Sequence, residues 1–299
     1  MKYESNEVLL TGTTGQVGTE LRALAWPAGV TLDAPPRAEL DLADPASVAR
    51  YIEGKSYAAI LSVGAYTAVD KAESDVANAW LVNAVAPAIL AAHAAKSGIP
   101  IVHVSTDYVF AGDAAVPYGE SDPVGPVGVY GASKEGGEQA VRTANSRHAI
   151  VRTSWVVSPH GNNFVKTMLR VGAQRPELKV VDDQWGAPTV AADLARALQT
   201  VVLRMMADAS APTGTYHFSN AGETTWCGFA REIFAQAAAF GGPSPVVTGI
   251  TTAEYPTPAR RPANSRMLTQ RIRGAYGVDV PGWQSSLRPL VAALLRPVG

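Results

Sequence analysis

Tyr130 and Lys134 stand four residues apart in the segment Tyr130-Gly131-Ala132-Ser133-Lys134. If a helix begins here, both side chains lie on the same face of that helix. A cation beside a phenol favours the phenolate and lowers the pKa of the phenol from its usual value of about 10. The pair is therefore suited to exchanging a proton with a carbonyl or an alcohol. The alternative is an ordinary surface pair, so other parts of the chain must decide.

A glycine-rich turn near the start of the chain predicts a site for a dinucleotide. The apolar run 8–10 leads directly to Gly12, Gly15 and Gly18, and residues 19–24 have helical character. In a strand–turn–helix unit the glycines allow a tight turn, a close approach of pyrophosphate to the backbone, and close packing of helix on strand. The N-terminus of the helix then faces the phosphate anion with its N–H groups and its positive dipole end.

Two residues give conflicting indications about the cofactor. Asp33 follows the predicted second strand Val30-Thr31-Leu32, where an acid usually accepts the ribose hydroxyls of NAD. Arg37 could instead bind the 2′-phosphate of NADP, and Asp33 could be only a turn residue. The choice between NADH and NADPH stays open at this point.

The remaining apolar runs predict the scaffold. Runs at 58–63, 101–104 and 149–152 are typical of buried parallel strands, and 77–96 is predicted as a helix. Strands that alternate with helices in this way indicate an α/β fold, a Rossmann-type doubly wound parallel sheet. The carboxyl edge of such a sheet binds ligands. His103, inside one of these strands, is predicted to be a core residue.

The domain organisation follows from where the alternation weakens, beyond residue 155. We predict a dinucleotide-binding domain at 1–155, to which 190–222 return. A smaller, partly interleaved C-terminal substrate domain is predicted at 156–189 and 223–299.

Bulk properties restrict the class of protein. The formal net charge of -1 over 299 residues argues against a nucleic-acid-binding surface. Cys227 is the single cysteine, so no intramolecular disulfide can form, and residues 1–7 do not resemble a signal peptide. The apolar stretch 84–95 is expected to be too short to span a bilayer. We expect a cytoplasmic protein without a membrane segment, and the five histidines show no metal-ligand spacing.

Taken together, these motifs resemble the extended short-chain dehydrogenase/reductases and, within them, the dTDP-4-dehydrorhamnose reductase family. The resemblance is carried by blocks that occur in order at 14–18, 67–73, 105–110, 129–131, 152–156, 161–164, 183–189, 255–258 and 261–266. It implies reduction of the C4 ketone of dTDP-4-dehydro-β-L-rhamnose to dTDP-L-rhamnose by NADPH or NADH.

The same resemblance implies a role for individual residues. Tyr130 would donate the proton to the C4 oxygen, Lys134 would hold the nicotinamide ribose and lower the pKa of Tyr130, and Thr106 would bind the same oxygen. The cofactor would be bound by Gly12, Gly15, Gln16, Val17, Gly18, Asp33, Asp41, Leu42, Ala65, Tyr66, Thr67, Tyr130 and Lys134. The sugar nucleotide would be bound by Thr106, Asp107 and Trp155.

Three alternatives accompany this interpretation. Sugar 4,6-dehydratases carry Thr-Asp-Glu where this chain has Thr106-Asp107-Tyr108, so it lacks the carboxyl group that dehydration uses. A reductase of a related nucleotide 4-keto-deoxy sugar stays possible, as does a non-catalytic NAD(P)-binding regulatory subunit. Retention of Tyr130, Lys134 and Thr106 together argues against the regulatory subunit, because a pure binder needs no proton donor.

Assembly and metal binding can also be compared with the family. Some members form a Mg²⁺-bridged dimer through glutamates, but Ala192 and Ala293 stand at two of those places, and only Glu20 remains. A divalent cation of this kind needs several oxygen ligands. We therefore expect a monomer or a homodimer without a Mg²⁺ bridge; no metal-ligating residue is predicted, and a role for Mg²⁺ stays open.

Overall fold

The computed structural model describes residues 6–296. The outermost parts of the predicted domains, and residues 1–5 of the segment compared with a signal peptide, lie outside the described residues. The strands are β1 (Glu7–Leu10), β2 (Thr31–Asp33), β3 (Ala59–Ser62), β4 (Ile101–Thr106), β5 (His148–Thr153), β6 (Val156–Val157), β7 (Glu177–Val181), β8 (Trp185–Gly186), β9 (Thr189–Val190), β10 (Gly214–His217), β11 (Thr224–Thr225) and β12 (Val246–Ile250).

Helices lie between and around these strands. They are α1 (Gln16–Ala23), α2 (Pro45–Ile52), α3 (Val69–Ala72), α4 (Val76–Trp80), α5 (Ala86–Lys96), α6 (Val129–Ala144), α7 (Phe164–Gly172), α8 (Ala191–Ala207), α9 (Trp226–Ala238), α10 (Gln270–Tyr276) and α11 (Trp283–Leu295). A π-helical turn, Leu81–Val85, joins α4 to α5.

Six strands form one parallel sheet in the order β10-β5-β4-β3-β1-β2. The chain leaves β1 for β2 on one side and then returns to place β3 on the other side of β1. The point where the strand order reverses therefore lies between β1 and β3, and open α/β sheets bind ligands there. The predicted doubly wound parallel sheet is confirmed.

Helices cover both faces of this sheet. Successive side chains of a strand point to opposite faces; accordingly Leu10 packs with α1, α8 and α10, whereas Leu9 packs with α2 and α5. Both residues are fully buried. Burial on two faces explains why the strands read as continuous apolar runs.

A smaller lobe is built from β6, β7, β8, β9, β11 and β12 with α7, α9 and α11. Its strands form three two-stranded pairs, β6 with β9, β7 with β12, and β8 with β11. Its core contains Val165, Phe229, Ile233, Leu287 and Val291. Strand β10 instead pairs with β5, and α10 packs on the side of the large sheet.

The apolar stretch 84–95, which is predicted to be too short to span a bilayer, lies within a longer helical stretch, Val76–Lys96. Its 21 residues, with a mean hydropathy of 1.4, are long and apolar enough to cross a membrane. However, Leu90, Ala91 and Ala94 are fully buried in the core beneath the sheet. The core helix of a globular protein passes the same length and composition test, so one such helix is weak evidence for a membrane segment.

Candidate active site

A cavity of about 940 Å³ opens over the carboxyl edge of the sheet, at the point where the strand order reverses. It is lined by the turn after β1, the loops after β3 and β4, the start of α6, and residues 153–163. The predicted site residues that line it are Gly12, Gly15, Gln16, Val17, Gly18, Asp41, Leu42, Ala65, Tyr66, Thr67, Thr106, Asp107, Tyr130, Lys134 and Trp155. Asp33 lies outside the cavity.

The glycine turn has no room for side chains. Gly12 has a φ of +72°, and a Cβ atom on it would lie 2.4 Å from Cα of Gly64. A Cβ atom on Gly18 would lie 2.1 Å from the carbonyl oxygen of Gly12. Helix α1 begins at Gln16, and the first N–H groups of a helix have no partner within it. This backbone cradle fits the pyrophosphate of a dinucleotide.

Tyr130 is buried near the start of α6, where its ring meets the edge of the Tyr108 ring at a centroid distance of 5.4 Å. Burial raises the pKa of Tyr130 above its ordinary value, the charge of Asp107 adds to the effect, and a hydrogen bond with Thr106 opposes it. The phenol therefore keeps its proton at neutral pH.

Lys134 is not among the groups that shift the pKa of Tyr130 in this structure. The Lys134 ammonium donates to the carbonyl oxygen of Val104 over 2.7 Å. Burial lowers the pKa of Lys134 to about 8, and the charge of Glu138 opposes that shift. Burial is therefore the main influence on the pKa of both side chains, and the effect of Lys134 on the Tyr130 phenol stays a prediction.

Thr106 and Asp107 come at the end of β4, beside Tyr130. The Thr106 hydroxyl donates to Oδ1 of Asp107 over 2.9 Å and accepts from the N–H of Tyr108 over 3.3 Å. Burial raises the pKa of Asp107 to about 6, against hydrogen bonds with Ser265 and Thr106. The cleft therefore holds two hydroxyls and a carboxyl group close together.

Trp155 has an unusual backbone. Its φ of 48° is in the left-handed region, which a non-glycine residue adopts only when its surroundings enforce it. Its indole stacks on Trp226 at a centroid distance of 3.7 Å, and a Cβ atom on Gly186 would lie 2.6 Å from the same indole. Trp226 also lines the cavity. The sequence interpretation missed Trp226, which no motif marks.

Asp33, which is predicted to bind the cofactor, has other partners in this structure. Its Oδ1 accepts from the hydroxyl of Tyr51 over 2.6 Å; its Oδ2 accepts from the hydroxyl of Tyr57 over 2.6 Å and from Lys55 over 3.1 Å. Burial alone would raise the pKa of Asp33, but these hydrogen bonds outweigh burial and lower the pKa. The carboxylate is directed towards α2, on a face of the sheet rather than at its edge.

The sequence interpretation also missed Asn83, which lies in the π-helical turn and is fully buried. Its Oδ1 accepts from the N–H of Tyr66 over 2.8 Å, and its Nδ2 donates to Oγ of Ser133 over 3.0 Å. Asn83 thus ties a loop that lines the cavity to the helix that carries Tyr130. The signal in the sequence that could have revealed Asn83 is that it is a polar residue within an alanine-rich helical stretch.

His103 and Glu20 take no part in the cleft. His103 is fully buried with its Nδ1 3.0 Å from Oγ of Ser62, and burial holds its pKa well below the ordinary value. Glu20 lies 3.4 Å from His160. Within residues 6–296 there is no group of three or more histidine, cysteine, aspartate or glutamate side chains placed to hold a metal ion.

Comparisons with known proteins identify the family of the chain. The family model described as the RmlD substrate binding domain matches residues 6–296. The dTDP-4-dehydrorhamnose reductase of Sinorhizobium fredii is 46% identical over 287 residues, which cover 96% of this chain and 97% of the relative. The Escherichia coli K12 enzyme of the same name is 38% identical, with 96% and 97% covered.

Solved structures give the same result. A dTDP-4-dehydrorhamnose reductase from Clostridium acetobutylicum superposes with a TM-score of 0.90 at 36% identity, covering 97% of this chain and 100% of that one. Another, from Bacillus anthracis in complex with NADP, gives 0.86 at 34% identity, covering 97% and 99%. A Thermus thermophilus UDP-glucose 4-epimerase, 20% identical with a TM-score of 0.77 and covering 98% and 100%, shares the fold.

Proposed function

The chain belongs to the RmlD family of dTDP-4-dehydrorhamnose reductases, and we propose that it reduces the C4 ketone of dTDP-4-dehydro-β-L-rhamnose to dTDP-L-rhamnose. NADPH or NADH is the reductant. The observation that carries the proposal is that Tyr130, Thr106 and Lys134 line the same cavity as the glycine turn. A protein that only binds a dinucleotide needs the turn but not the proton donor.

The cleft binds the cofactor along the carboxyl edge of the sheet. Gly12, Gly15 and Gly18 leave space for the pyrophosphate, and the N–H groups at Gln16 and Val17 would donate to it. Asp41 and Leu42 would hold the adenosine end, and Ala65, Tyr66 and Thr67 line the cleft further along. The bound cofactor supplies the hydride that reaches C4.

The proton comes from Tyr130. A phenol whose pKa is raised by burial stays protonated until a stronger base, the nascent C4 alkoxide, is beside it. On turning from Asp107, the Thr106 hydroxyl would donate to the same oxygen. Lys134, with a pKa of about 8, is still mostly charged at neutral pH and stabilises the phenolate that forms.

The sugar nucleotide lies against Asp107 and Trp155, on the side of the smaller lobe. We accordingly assign the substrate domain to 156–189 and 223–299 and the dinucleotide-binding domain to 1–155 with 190–222. We further infer that the protein acts in the cytoplasm as a monomer or a homodimer, without nucleic acid.

The test is to add enzymatically prepared dTDP-4-dehydro-L-rhamnose to the protein with NADPH or with NADH, and to follow cofactor oxidation and product. Oxidation with the appearance of dTDP-L-rhamnose supports the proposal. If the reduced cofactor binds tightly but is not oxidised, a different 4-keto sugar or a regulatory role replaces it. Tyr108, at the position of the dehydratase glutamate, predicts that no dehydration product forms.

A further inference from the structure

We propose that Glu138 is a positioning residue for the reduction, because its buried carboxylate keeps the ammonium group of Lys134, one helical turn away, charged. The proposal deepens the proposed function and rests on it, since a charged Lys134 there stabilises the phenolate of Tyr130. The charge of Lys134 can be measured without cofactor or sugar, so the two proposals can fail separately.

The first step is the spacing along α6. Tyr130, Lys134 and Glu138 follow one another at intervals of four residues, so their side chains lie on one face of the helix. Tyr130 and Lys134 line the cavity, and Glu138 comes one turn later. Lys134 and Glu138 are 1% and 0% exposed, so this face of α6 carries two ionisable groups out of water.

The second step is that Glu138 is held as a carboxylate. Its Oε1 accepts from Nε of Arg152 over 2.8 Å, and its Oε2 accepts from Nη2 of Arg152 over 2.7 Å. Nη1 of Arg142 also donates to Oε2, over 2.9 Å. Burial alone would raise the pKa of Glu138, but the hydrogen bonds and the charge of Arg152 outweigh burial and lower the pKa. The carboxylate is therefore negative at neutral pH.

The third step is that this negative charge acts on Lys134. Burial disfavours the charged ammonium, and the charge of Glu138 opposes that effect. The carbonyl group of Val104, which accepts from the ammonium over 2.7 Å, is a dipole and not a countercharge. A Cβ atom on Gly137 would lie 2.1 Å from the carbonyl oxygen of Asn83, so α6 packs tightly on the π-helical turn. In such a dry interior, opposite charges attract with little screening.

The other titratable groups around Lys134 do not supply this countercharge. On α6, Tyr130 keeps its proton and is neutral. On β4, His103 is neutral because burial and the nearby ammonium hold its pKa well below the ordinary value. Asp107, which follows β4, acts on Tyr130 and is not among the groups that shift the pKa of Lys134. On β5, Arg152 is itself a cation.

A purely structural role for Glu138 is the alternative, because its pair with Arg152 also ties α6 to β5. The two roles predict different behaviour of Lys134. The loss of a structural pair changes the stability of the protein but does not move the titration of Lys134. The loss of a countercharge moves that titration to lower pH.

The experiment is a ¹³C NMR titration of the full chain labelled at its lysine side chains, with no cofactor or sugar present. The Lys134 signal is the one that Lys134→Met removes. The variants are Glu138→Gln and the charge-preserving Glu138→Asp. Glu135→Gln is the matched control, because it makes the same change on the same helix and removes a partner of Arg142. Since Glu138→Gln leaves a buried cation at Arg152, the double variant Glu138→Gln/Arg152→Met is also made.

We expect the midpoint of the Lys134 titration, at about pH 8 in the unmodified protein, to fall by about one pH unit or more in Glu138→Gln. Glu138→Asp and Glu135→Gln should move it by less than about half a unit. The double variant should lower it by about half a unit or more, because Glu138 and not Arg152 is among the groups that shift the pKa of Lys134. With the keto sugar, the alkaline limb of the turnover–pH profile should move by the same amount.

An unchanged midpoint in Glu138→Gln, or in the double variant if the single variant does not fold, overturns the proposal and leaves the pair as a structural link. An equal fall in Glu135→Gln also overturns it, because any acid lost from α6 would then have the same effect. If the midpoint falls as expected but the unmodified protein does not reduce the keto sugar, the role of Glu138 stands and only the proposed function is wrong.

Discussion

At the scale of single residues, the cleft depends on a tyrosine that holds its proton. We expect Tyr130→Phe to lower turnover by about 10²-fold or more, as for loss of a general acid, while NADPH affinity changes by less than about threefold. The aromatic ring that packs against Tyr108 remains, so the shape of the cleft should persist. Steady-state kinetics and a cofactor titration on the same preparation measure both quantities. Undiminished turnover would exclude Tyr130 as the donor.

Lys134 is retained at a cost in stability. Burial lowers the pKa of Lys134 from 10.5 to about 8, which corresponds to roughly 3 kcal/mol. The unfolded chain binds this proton more tightly, so the penalty is complete below about pH 8 and disappears as the pH approaches 10.5. We expect Lys134→Met to raise the free energy of unfolding by about 2 kcal/mol at pH 6.5 and to abolish turnover.

The measurement is urea unfolding of both proteins at pH 6.5 and at pH 9.5. The difference between them should shrink at the higher pH, because the native lysine is then largely neutral. A Lys134→Met variant that is less stable than the original at pH 6.5 would mean that the Val104 hydrogen bond outweighs the desolvation of the ammonium.

At the scale of elements, the π-helical turn between α4 and α5 positions the loop at Tyr66. The Asn83 side chain accepts a hydrogen bond from the N–H of Tyr66 over 2.8 Å and donates one to the carbonyl oxygen of Tyr66 over 3.2 Å. A buried backbone group left without a partner costs about 1–3 kcal/mol. Asn83→Ala should therefore destabilise the protein by about 2–4 kcal/mol and weaken cofactor binding.

Thermal unfolding and a cofactor titration test this, with Gln139→Ala as the control because that amide is exposed on α6. If the loss of stability is the same in both variants, the asparagine does not hold the loop.

The elements also show what could be predicted from the sequence. Apolar runs and the glycine turn predicted the parallel sheet and the cavity over its edge, because burial on two faces and close backbone approach leave local signals. The direction of the Asp33 side chain leaves no local signal in the sequence, because it depends on where α2 places Tyr51. Trp226 and the pKa of Tyr130 likewise depend on contacts between parts distant in sequence.

At the scale of the whole molecule, one of the segments that bridge the smaller lobe and the large sheet runs from 251 to 267. We call 251–267 the strap. It joins β8 through the N–H of Ser265, which donates to the carbonyl oxygen of Trp185 over 2.7 Å. It joins the sheet side through Asn264, whose N–H donates to the carbonyl oxygen of Gly112 over 2.9 Å. The strap thus crosses beside the cleft.

A single carboxylate fastens the middle of the strap. Asp70, on α3, accepts from the Arg261 guanidinium over 2.6 Å and from the N–H of Ala259 over 3.1 Å. Arg261 also lies 3.5 Å from the hydroxyl of Tyr108, whose ring packs on Tyr130. Asp70 therefore links closure of the strap to the wall of the catalytic cleft.

We expect Asp70→Asn to raise the KM for the sugar nucleotide about fivefold, since a partly exposed ion pair contributes about 1 kcal/mol. NADPH affinity should not change, because the strap lies at the sugar end. Trypsin should cleave faster after Arg260 if the strap opens more often.

Glu223→Gln is the matched control, because its partner Arg266 belongs to the strap but the pair does not reach α3. Should both variants be cleaved at the original rate with the original KM, the backbone hydrogen bonds alone hold the strap, and the Asp70–Arg261 pair is a surface contact.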